Sequence, residues 1–462
     1  MSDVFSTFRQ AQRVGDGNLL ASCLAPINPG SDYGRLAALA ELTNFQNAHN
    51  DIRYQLFGGE HAIKLPKNEA NQWVEIFVAL WKCARELFLI EKNGQGIWDM
   101  AFKAYKDVCT FLNRGYSNYG FQAWTIPCMY TAGKYLRLIA IRADEAAAQS
   151  SQNGFGLAGN LSEEMAEDGS SHAKLQDAAR TLQQMISVCR SDDSDLSESR
   201  KWGVISMANL LFKTYFKLNN LALTRNVIAI LESPGVNLPP LAAFPKSHQC
   251  TYSYYRGVLE FLKEDYHAAH GYLESALLIC PVRATHNRER ILTYLIPTTM
   301  LTRQKLPSEQ LLSQAPNLRN LLQPICRAIK TGHLADFDRA LAVAETALIH
   351  RRIYLTLERL RDLCMRNLFR KVFMNAGSEE SKGASTDSAA APVRRTRLEI
   401  AEFETAIKVA LRDSDEPIVA DRDEVECYLA NMIYKGHMKA YIAREQGKVV
   451  MSKGGAFPST GI

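Results

Sequence analysis

Two groups of basic residues in the C-terminal part of the chain have the chemistry to bind phosphate groups. The first group lies on a strongly basic run with helical spacing, and its members are Arg351, Arg352, Arg359, Arg366, Arg370 and Lys371. On one continuous helix, heptad spacing would place Arg352, Arg359 and Arg366 nearly on one face. Such a face is either an ordinary solvated surface or a site for an acidic partner or a nucleic acid. The sequence leaves both interpretations open.

The second group begins at a small basic cluster and continues to Lys453. Its members are Arg394, Arg395, Arg397, Lys435, His437, Lys439, Tyr441, Arg444, Lys448 and Lys453. Residues 437–443 alternate in polarity, which predicts a strand with His437, Lys439 and Tyr441 on one face. Cations beside an aromatic ring suit non-specific binding of RNA or DNA. An ordinary solvated hairpin is the alternative interpretation.

The elements that must position this second group form a small module at residues 398–458. The segment LEIAEFETAIKVAL predicts a helix, and residues 417–420 predict a short strand. A second helix, VECYLANMIYK, follows a predicted capping box of Asp421 and Glu424 and ends before Gly436. Two alternating segments joined by residues 444–447 then predict a β-hairpin. Helix, strand, helix and hairpin is the order of a winged helix.

The second helix of this module begins with acidic residues. Asp423, Glu424 and Glu426 lie in its first turns, where they would repel phosphates. A winged helix that reads DNA places this helix in the major groove. The sequence therefore disfavours direct readout and leaves the hairpin as the better candidate for a nucleic-acid contact.

Most of the chain before this module has the apolar spacing of helices, for example at Trp73, Phe77 and Trp81. In residues 252–280 the small residues Gly257 and Ala269 would let two helices pack closely, as in tetratricopeptide (TPR) repeats. The predicted fold class is mainly α, a TPR-like α-solenoid of paired helices capped by a C-terminal winged helix. The predicted segments are N-terminal helical repeats (1–145), a flexible linker (146–171), further helical repeats (172–374), a disordered insert with a basic end (375–397) and the winged helix (398–458).

Composition excludes several classes of protein. The chain is 47% hydrophobic with a formal net charge of +5, and no apolar run approaches the roughly 18 residues of a membrane helix. The N-terminus lacks the pattern of a secretory signal, so we expect an intracellular protein. The ten cysteines are scattered singly without a C-x-x-C pair, which argues against zinc and redox sites. No motif of a metalloprotease, P-loop or nucleophile elbow is present, so we expect no cofactor and no enzymatic activity.

Several segments, in the right order, resemble one subfamily of PCI-domain proteins. They are YYRGVLEFLKEDYHAAHGYLESAL, RERILTYLIPTTML, LERLRDLCMRNLFRKV, DEVECYLANMIYKGHMKAYI and VVMSKGGAFP. That subfamily contains the PCI subunit of the nuclear transcription-export (mRNA export) complex and its signalosome-associated paralogue. The resemblance covers roughly residues 252–458, with residues 172–374 as the helical-repeat part of the PCI domain, and extends more loosely through the N-terminal helices.

The resemblance implies a scaffold. Such proteins pair through the winged helix with a GANP-type PCI protein and hold a small acidic Sem/DSS-type subunit along the helical repeats. The assembled proteins form a platform for RNA or DNA that couples transcription to mRNA processing and nuclear export. A nuclear location is implied, with a cytoplasmic pool also allowed. The alternative is a structural interaction subunit associated with the signalosome or proteasome lid, without direct nucleic-acid binding.

Overall fold

The computed structural model describes residues 4–26, 33–58, 63–154, 172–233, 237–379, 393–412 and 421–458. The chain divides into two compact units, Met1–Tyr252 and Ser253–Ile462. Helices dominate both units, which confirms the predicted mainly helical fold ending in a winged helix. Across the described ranges, no helix is long and apolar enough to cross a membrane.

The first unit consists of helices that pack against their neighbours in the sequence. They are α1 (Val4–Val14), α2 (Gly17–Cys23), α3 (Tyr33–Ala40), α4 (Ala48–Phe57), α5 (Lys67–Asn93), α6 (Trp98–Asn118), α7 (Ile126–Gly154), α8 (Ala173–Arg190), α9 (Val204–Lys217), α10 (Ala222–Leu231) and the start of α11 (Lys246–Leu262). The predicted apolar face of α5 is buried, including Trp73, Phe77 and Trp81. The successive pairs α5–α6, α6–α7, α7–α8 and α8–α9 are in contact, as expected for helical repeats.

The first part of the predicted linker at 146–171 is helical. Helix α7 continues to Gly154, while residues 155–171 lie outside the described residues. The two helices on either side are joined by the buried Asp144, whose carboxylate oxygens accept hydrogen bonds from the backbone N–H groups of Lys174 and Leu175, both at 3.0 Å. These bonds satisfy free donors at the start of α8. Both helices belong to the first unit, so the division of the chain falls within α11 instead.

The second unit starts with further helices. They are α12 (Tyr266–Ile279), α13 (Thr285–Thr302), α14 (Glu309–Leu312), α15 (Pro316–Thr331), α16 (Leu334–His350), α17 (Tyr354–Glu358) and α18 (Arg361–Asn375). The predicted close approach at Gly257 is present, because a Cβ built there would lie 2.6 Å from Cγ of Leu273. The prediction that the basic run at residues 351–373 forms one continuous helix was wrong. Arg352 has a left-handed φ of 57°, and the segment is divided between α17 and α18.

A three-stranded antiparallel sheet and two helices form the winged helix. The elements are β3 (Arg397–Glu399), α19 (Ile400–Ala410), α20 (Arg422–Tyr434), β4 (Ala440–Ala443) and β5 (Lys448–Met451), in the strand order β3-β5-β4. Asp421 caps α20 by accepting a hydrogen bond from the backbone N–H of Glu424 at 2.8 Å, as predicted. The Glu424 carboxylate accepts instead from the Tyr428 hydroxyl at 2.6 Å. Gly436 follows α20 with φ 72°, the left-handed conformation predicted for it.

Three details of this region differ from the prediction or lie outside the structure. Strand β3 was not predicted, because its three residues are too few to show a period. The predicted strand at 417–420 lies outside the described residues. The ends of the predicted disordered insert are paired, since β1 (Ser378–Glu379) and β2 (Val393–Arg394) form an antiparallel ladder. Residues 380–392 between them lie outside the described part of the chain.

Candidate nucleic-acid interface

One face of the winged-helix sheet is open to solvent. The strand register places Arg397, Val450 and Tyr441 in one row across the sheet, and Glu399, Lys448 and Ala443 in the next row. The opposite face is apolar: Leu398 and Val449 are fully buried, and Met438 and Met451 are nearly so. Side chains alternate along a strand, so burial of the apolar face means that the two rows named above point outward. We call this solvent side of β3, β4 and β5 the sheet face.

Four cations on and beside the sheet face form no ion pair among the described residues, although Glu399, exposed on the same face, is the strand partner of Lys448. They are Arg397, Lys439, Lys448 and Lys453, and in the described ranges their side chains make neither an ion pair nor a hydrogen bond. Lys439 lies two residues before Tyr441, so it points to the same side. Tyr441 is 63% exposed. The predicted grouping of Lys439 with Tyr441 on one face therefore matches the geometry.

Three other cations of the second group are held by carboxylates. Nζ of Lys435 lies 2.5 Å from Oδ2 of Asp362, and Nη2 of Arg395 lies 2.6 Å from Oε1 of Glu402. Arg444, in the turn of the hairpin, contacts two acidic residues of α20. Its Nη2 lies 3.3 Å from Oδ1 of Asp423, and its Nε lies 3.2 Å from Oε2 of Glu426. These ion pairs reduce the charge available to a phosphate.

His437 does not contribute the cation that its position in the sequence suggested. Its ring is half-buried, and Nδ1 lies 3.1 Å from Nε2 of Gln304. Burial lowers the pKa of His437 below its usual value, with a partly opposing effect from Asp362. A lowered pKa favours the neutral ring, so His437 is a weaker phosphate contact than its place in the sequence suggested. Arg394 lies in β2, which belongs to the separate two-stranded sheet of β1 and β2.

Arg366, in the first group, is buried rather than exposed. Its residue exposure is 2%. Nη1 donates to Oδ1 of Asn367 at 2.8 Å, and Nη2 donates to the carbonyl of Pro458 at 2.7 Å. The guanidinium also lies 5.7 Å from the ring centroid of Phe457. The prediction that Arg366 belongs to a binding surface was wrong, because this residue anchors the C-terminal segment.

The remaining members of the first group do not form the predicted face. The heptad relation is lost where α17 ends and α18 begins. Arg359 makes two hydrogen bonds with the Glu264 carboxylate, at 2.9 and 2.8 Å. Two members bind backbone carbonyls: Arg351 donates to Ala347 at 3.0 Å and Lys371 donates to Thr331 at 2.6 Å. Arg352 and Arg370 are exposed.

The exposed side of α20 separates charged from uncharged residues. Its N-terminal end carries Asp423, whose side chain is 79% exposed. Farther along, Cys427, Ala430 and Asn431 are exposed and uncharged, and Tyr434 is 90% exposed. These positions follow each other at three- and four-residue steps, so they lie on one side of the helix. No group of three or more potential metal ligands occurs in the part of the chain that the structure describes.

Sequence reasoning found the cations but missed most of their acidic partners. Asp362 is 73 residues from Lys435, and Glu264 is 95 residues from Arg359. No local pattern connects residues so far apart. The acidic start of α20 was a usable signal, since Asp423 and Glu426 are the residues that contact Arg444.

Comparison with known proteins agrees with this architecture. The PCI domain model matches residues 331–453. A protein from Gibberella zeae named "Protein CSN12 homolog" is 44% identical over 467 residues, covering 100% of both chains. The chain belongs to the CSN12 homologue family of PCI-domain proteins. A CSN12 homolog of Schizosaccharomyces pombe is 37% identical and covers 78% of this chain and 77% of its own. "PCI domain-containing protein 2" of Danio rerio is 29% identical, covering 78% of this chain and 79% of its own.

Proposed function

We propose that this member of the CSN12 homologue family is a non-enzymatic scaffold subunit whose winged helix contacts nucleic acid. It would pair with a GANP-type PCI protein and a small acidic Sem/DSS-type subunit, and the assembly would act in the nucleus to couple transcription to mRNA export. The observation that carries the proposal is the sheet face, where Arg397, Lys439 and Lys448 surround Tyr441 and form no ion pair among the described residues. Glu399 is the acidic residue on this face, so three cations stand against one carboxylate.

The distribution of charge supports a nucleic-acid contact in the second unit. The first unit contains as many basic as acidic residues, so the whole formal net charge of +5 lies in residues 253–462. A phosphate backbone is attracted by such an excess without any base-specific contact. The exposed Arg370 of α18 would be available to an acidic subunit.

The exposed side of α20 supports pairing with a protein. An uncharged stretch that ends in the exposed Tyr434 offers a phosphate no cation. Aromatic side chains of this kind are frequent energetic centres of protein interfaces. The two sides of the winged helix would thus have different partners: α20 would contact the second PCI protein, and the sheet face would contact the nucleic acid.

A second candidate function is a structural interaction subunit, associated with the signalosome or proteasome lid, that touches no nucleic acid. The ion pairs at Lys435, Arg359 and Arg444 favour it, because they neutralise cations that a nucleic-acid platform would use. The two functions differ in one respect: the sheet face binds nucleic acid in the first and does not in the second.

Binding of short single-stranded RNA, measured by fluorescence anisotropy, tests the proposal. The protein is used in full length, alone and with its co-purified PCI partner, at about 50 and about 200 mM salt. We expect binding that strengthens with the partner and weakens steeply with salt. The variant Arg397→Glu/Lys439→Glu/Lys448→Glu should bind at least about tenfold more weakly, with a salt slope reduced by roughly 2, since each lost phosphate contact on a single strand removes about 0.7.

The matched control is Arg283→Glu/Lys305→Glu/Arg327→Glu, which changes the net charge equally at exposed positions outside the winged helix. It should retain most of the affinity. If both triple variants lose RNA affinity equally, the sheet face is not the RNA-binding site. If the assembled wild-type complex binds no RNA at either salt concentration, the structural-subunit function replaces the proposed one.

A further inference from the structure

Tyr441 has the position of a stacking residue on the sheet face. It lies on β4, an edge strand, opposite Val450 of the central strand β5. The residue is 63% exposed. A shift of the strand by one residue would have turned its side chain inward. The fully buried Val449 and Leu398 fix the register and so keep Tyr441 outside.

Cations surround Tyr441 at distances set by the sheet itself. Lys448 pairs with Ala443, so it lies diagonally across from Tyr441, at about 7–8 Å between backbone positions. On its other side Lys448 pairs with Glu399, which lies beyond the central strand from Tyr441 and forms no ion pair with Lys448. Lys439 is two residues along the chain, and Arg397 is two strands away, at about 10 Å. A base stacked on the Tyr441 ring would therefore have its flanking phosphates within reach of long, flexible cations on both sides.

A duplex cannot use this arrangement. Its bases are stacked on one another, so their faces are closed to Tyr441. The helix that a winged helix normally inserts into the major groove begins here with Asp421 and Asp423, and the Asp423 side chain is 79% exposed. These carboxylates would meet the phosphates that line the groove, and Arg444 compensates only part of their charge.

We propose that the sheet face selects single-stranded nucleic acid, with Tyr441 stacking on a base while Arg397, Lys439 and Lys448 hold the adjacent phosphates. This inference rests on the proposed function and specifies its ligand class. Base stacking on an aromatic side chain contributes about 1–3 kcal/mol per base, whichever base is present. Tyr441 thus makes binding strong without making it sequence-specific.

Anisotropy titrations of the full-length protein at about 50 mM salt test the inference. The probes are a short mixed-sequence RNA, the DNA strand of the same sequence, and that DNA as a blunt duplex. We expect both single strands to bind at least about fivefold more tightly than the duplex, the loss that corresponds to one stacked base at the lower limit. Tyr441→Ala should weaken single-strand binding by about fivefold or more, and Tyr441→Phe should stay within about twofold of the wild type.

Tyr54→Ala is the matched control, because Tyr54 is 67% exposed and lies in the first unit. It should leave all three affinities unchanged. Duplex binding equal to single-strand binding, or a Tyr441→Ala variant that binds like the wild type, would overturn the inference even though the triple charge variant still weakens binding. Absence of binding to every probe, also with the partner present, would instead overturn the proposed function. Thermal melting should be unchanged in the Tyr441 variants because the side chain is exposed.

Discussion

Arg366 illustrates how a residue type can be predicted correctly and its role wrongly. Its guanidinium is buried with hydrogen bonds to an amide oxygen and a carbonyl oxygen, and its Nε has no partner among the described residues. Burial lowers the pKa of Arg366, and the positive charge of the neighbouring Arg370 lowers it further. A buried charge without a carboxylate is costly. The side chain must therefore contribute mainly through packing and through its bond to Pro458.

Two substitutions at Arg366 separate packing from charge. Arg366→Ala should lower the free energy of unfolding by about 2–4 kcal/mol, because it leaves a cavity and releases the Pro458 carbonyl. Arg366→Met also loses the bond to Pro458, but it keeps most of the volume and removes the cost of the buried charge, so it should stay within about 1 kcal/mol of the wild type. Urea denaturation followed by circular dichroism measures both values.

The exposed Arg370 provides the control for these variants. Arg370→Met should change the free energy of unfolding by no more than about 0.5 kcal/mol. If Arg366→Met costs as much as Arg366→Ala, the guanidinium itself holds the C-terminal segment, and the packing argument fails.

At the scale of elements, the close contact between α11 and α12 depends on one glycine. A Cβ at Gly257 would lie 2.6 Å from Cγ and 3.2 Å from the backbone nitrogen of Leu273. Gly271, on α12, has no such neighbour within 4 Å. The same substitution should therefore have opposite effects at two positions of one helix pair.

Gly257→Ala should lower the free energy of unfolding by about 1–3 kcal/mol, because the added methyl group forces the two helices apart. Gly271→Ala should raise it by about 0.5–1 kcal/mol, because alanine loses less backbone entropy in a helix. Denaturant midpoints of the two variants, compared with the wild type, give both changes. A stabilising Gly257→Ala would mean that Leu273 can move aside and that the contact is not tight.

Elements with a local sequence signal were predicted, and elements without one were missed. The helix α20 and the hairpin were predicted because a cap, a left-handed glycine and an alternating pattern each act over a few residues. Strand β3 escaped because its place in the sheet is decided by pairing with β5, about fifty residues later in the chain. The break between α17 and α18 escaped because the apolar spacing continues through it.

At the scale of the whole molecule, charge is distributed unequally between the two units. The first unit is formally neutral, and the net charge of +5 belongs to the second. Non-specific nucleic-acid binding follows such excess charge. The first unit would then serve protein contacts, and the second would carry both the sheet face and α20.

Ultraviolet crosslinking of the full-length protein to single-stranded RNA, followed by mass spectrometry, tests this division. Crosslinked peptides should map to residues after 252 and concentrate on the segments that contain Arg397 and Tyr441. Crosslinks should decline between about 50 and about 200 mM salt, as electrostatic binding requires. A majority of crosslinks in the first unit would contradict the assignment of the nucleic-acid contact to the second.

The sequence by itself determined the mainly helical class, the winged helix, the cap at Asp421 and the outward position of Lys439 and Tyr441. Each of these follows from interactions between residues close together in the chain, which leave a period or a cap in the sequence. Only the tertiary structure decided which cations remain available. Lys435 and Arg359 find carboxylates 73 and 95 residues away, and Arg366 is buried under the C-terminal segment. Charge pairing across such distances leaves no local pattern, so the free cations of the sheet face could be recognised only after the chain was folded.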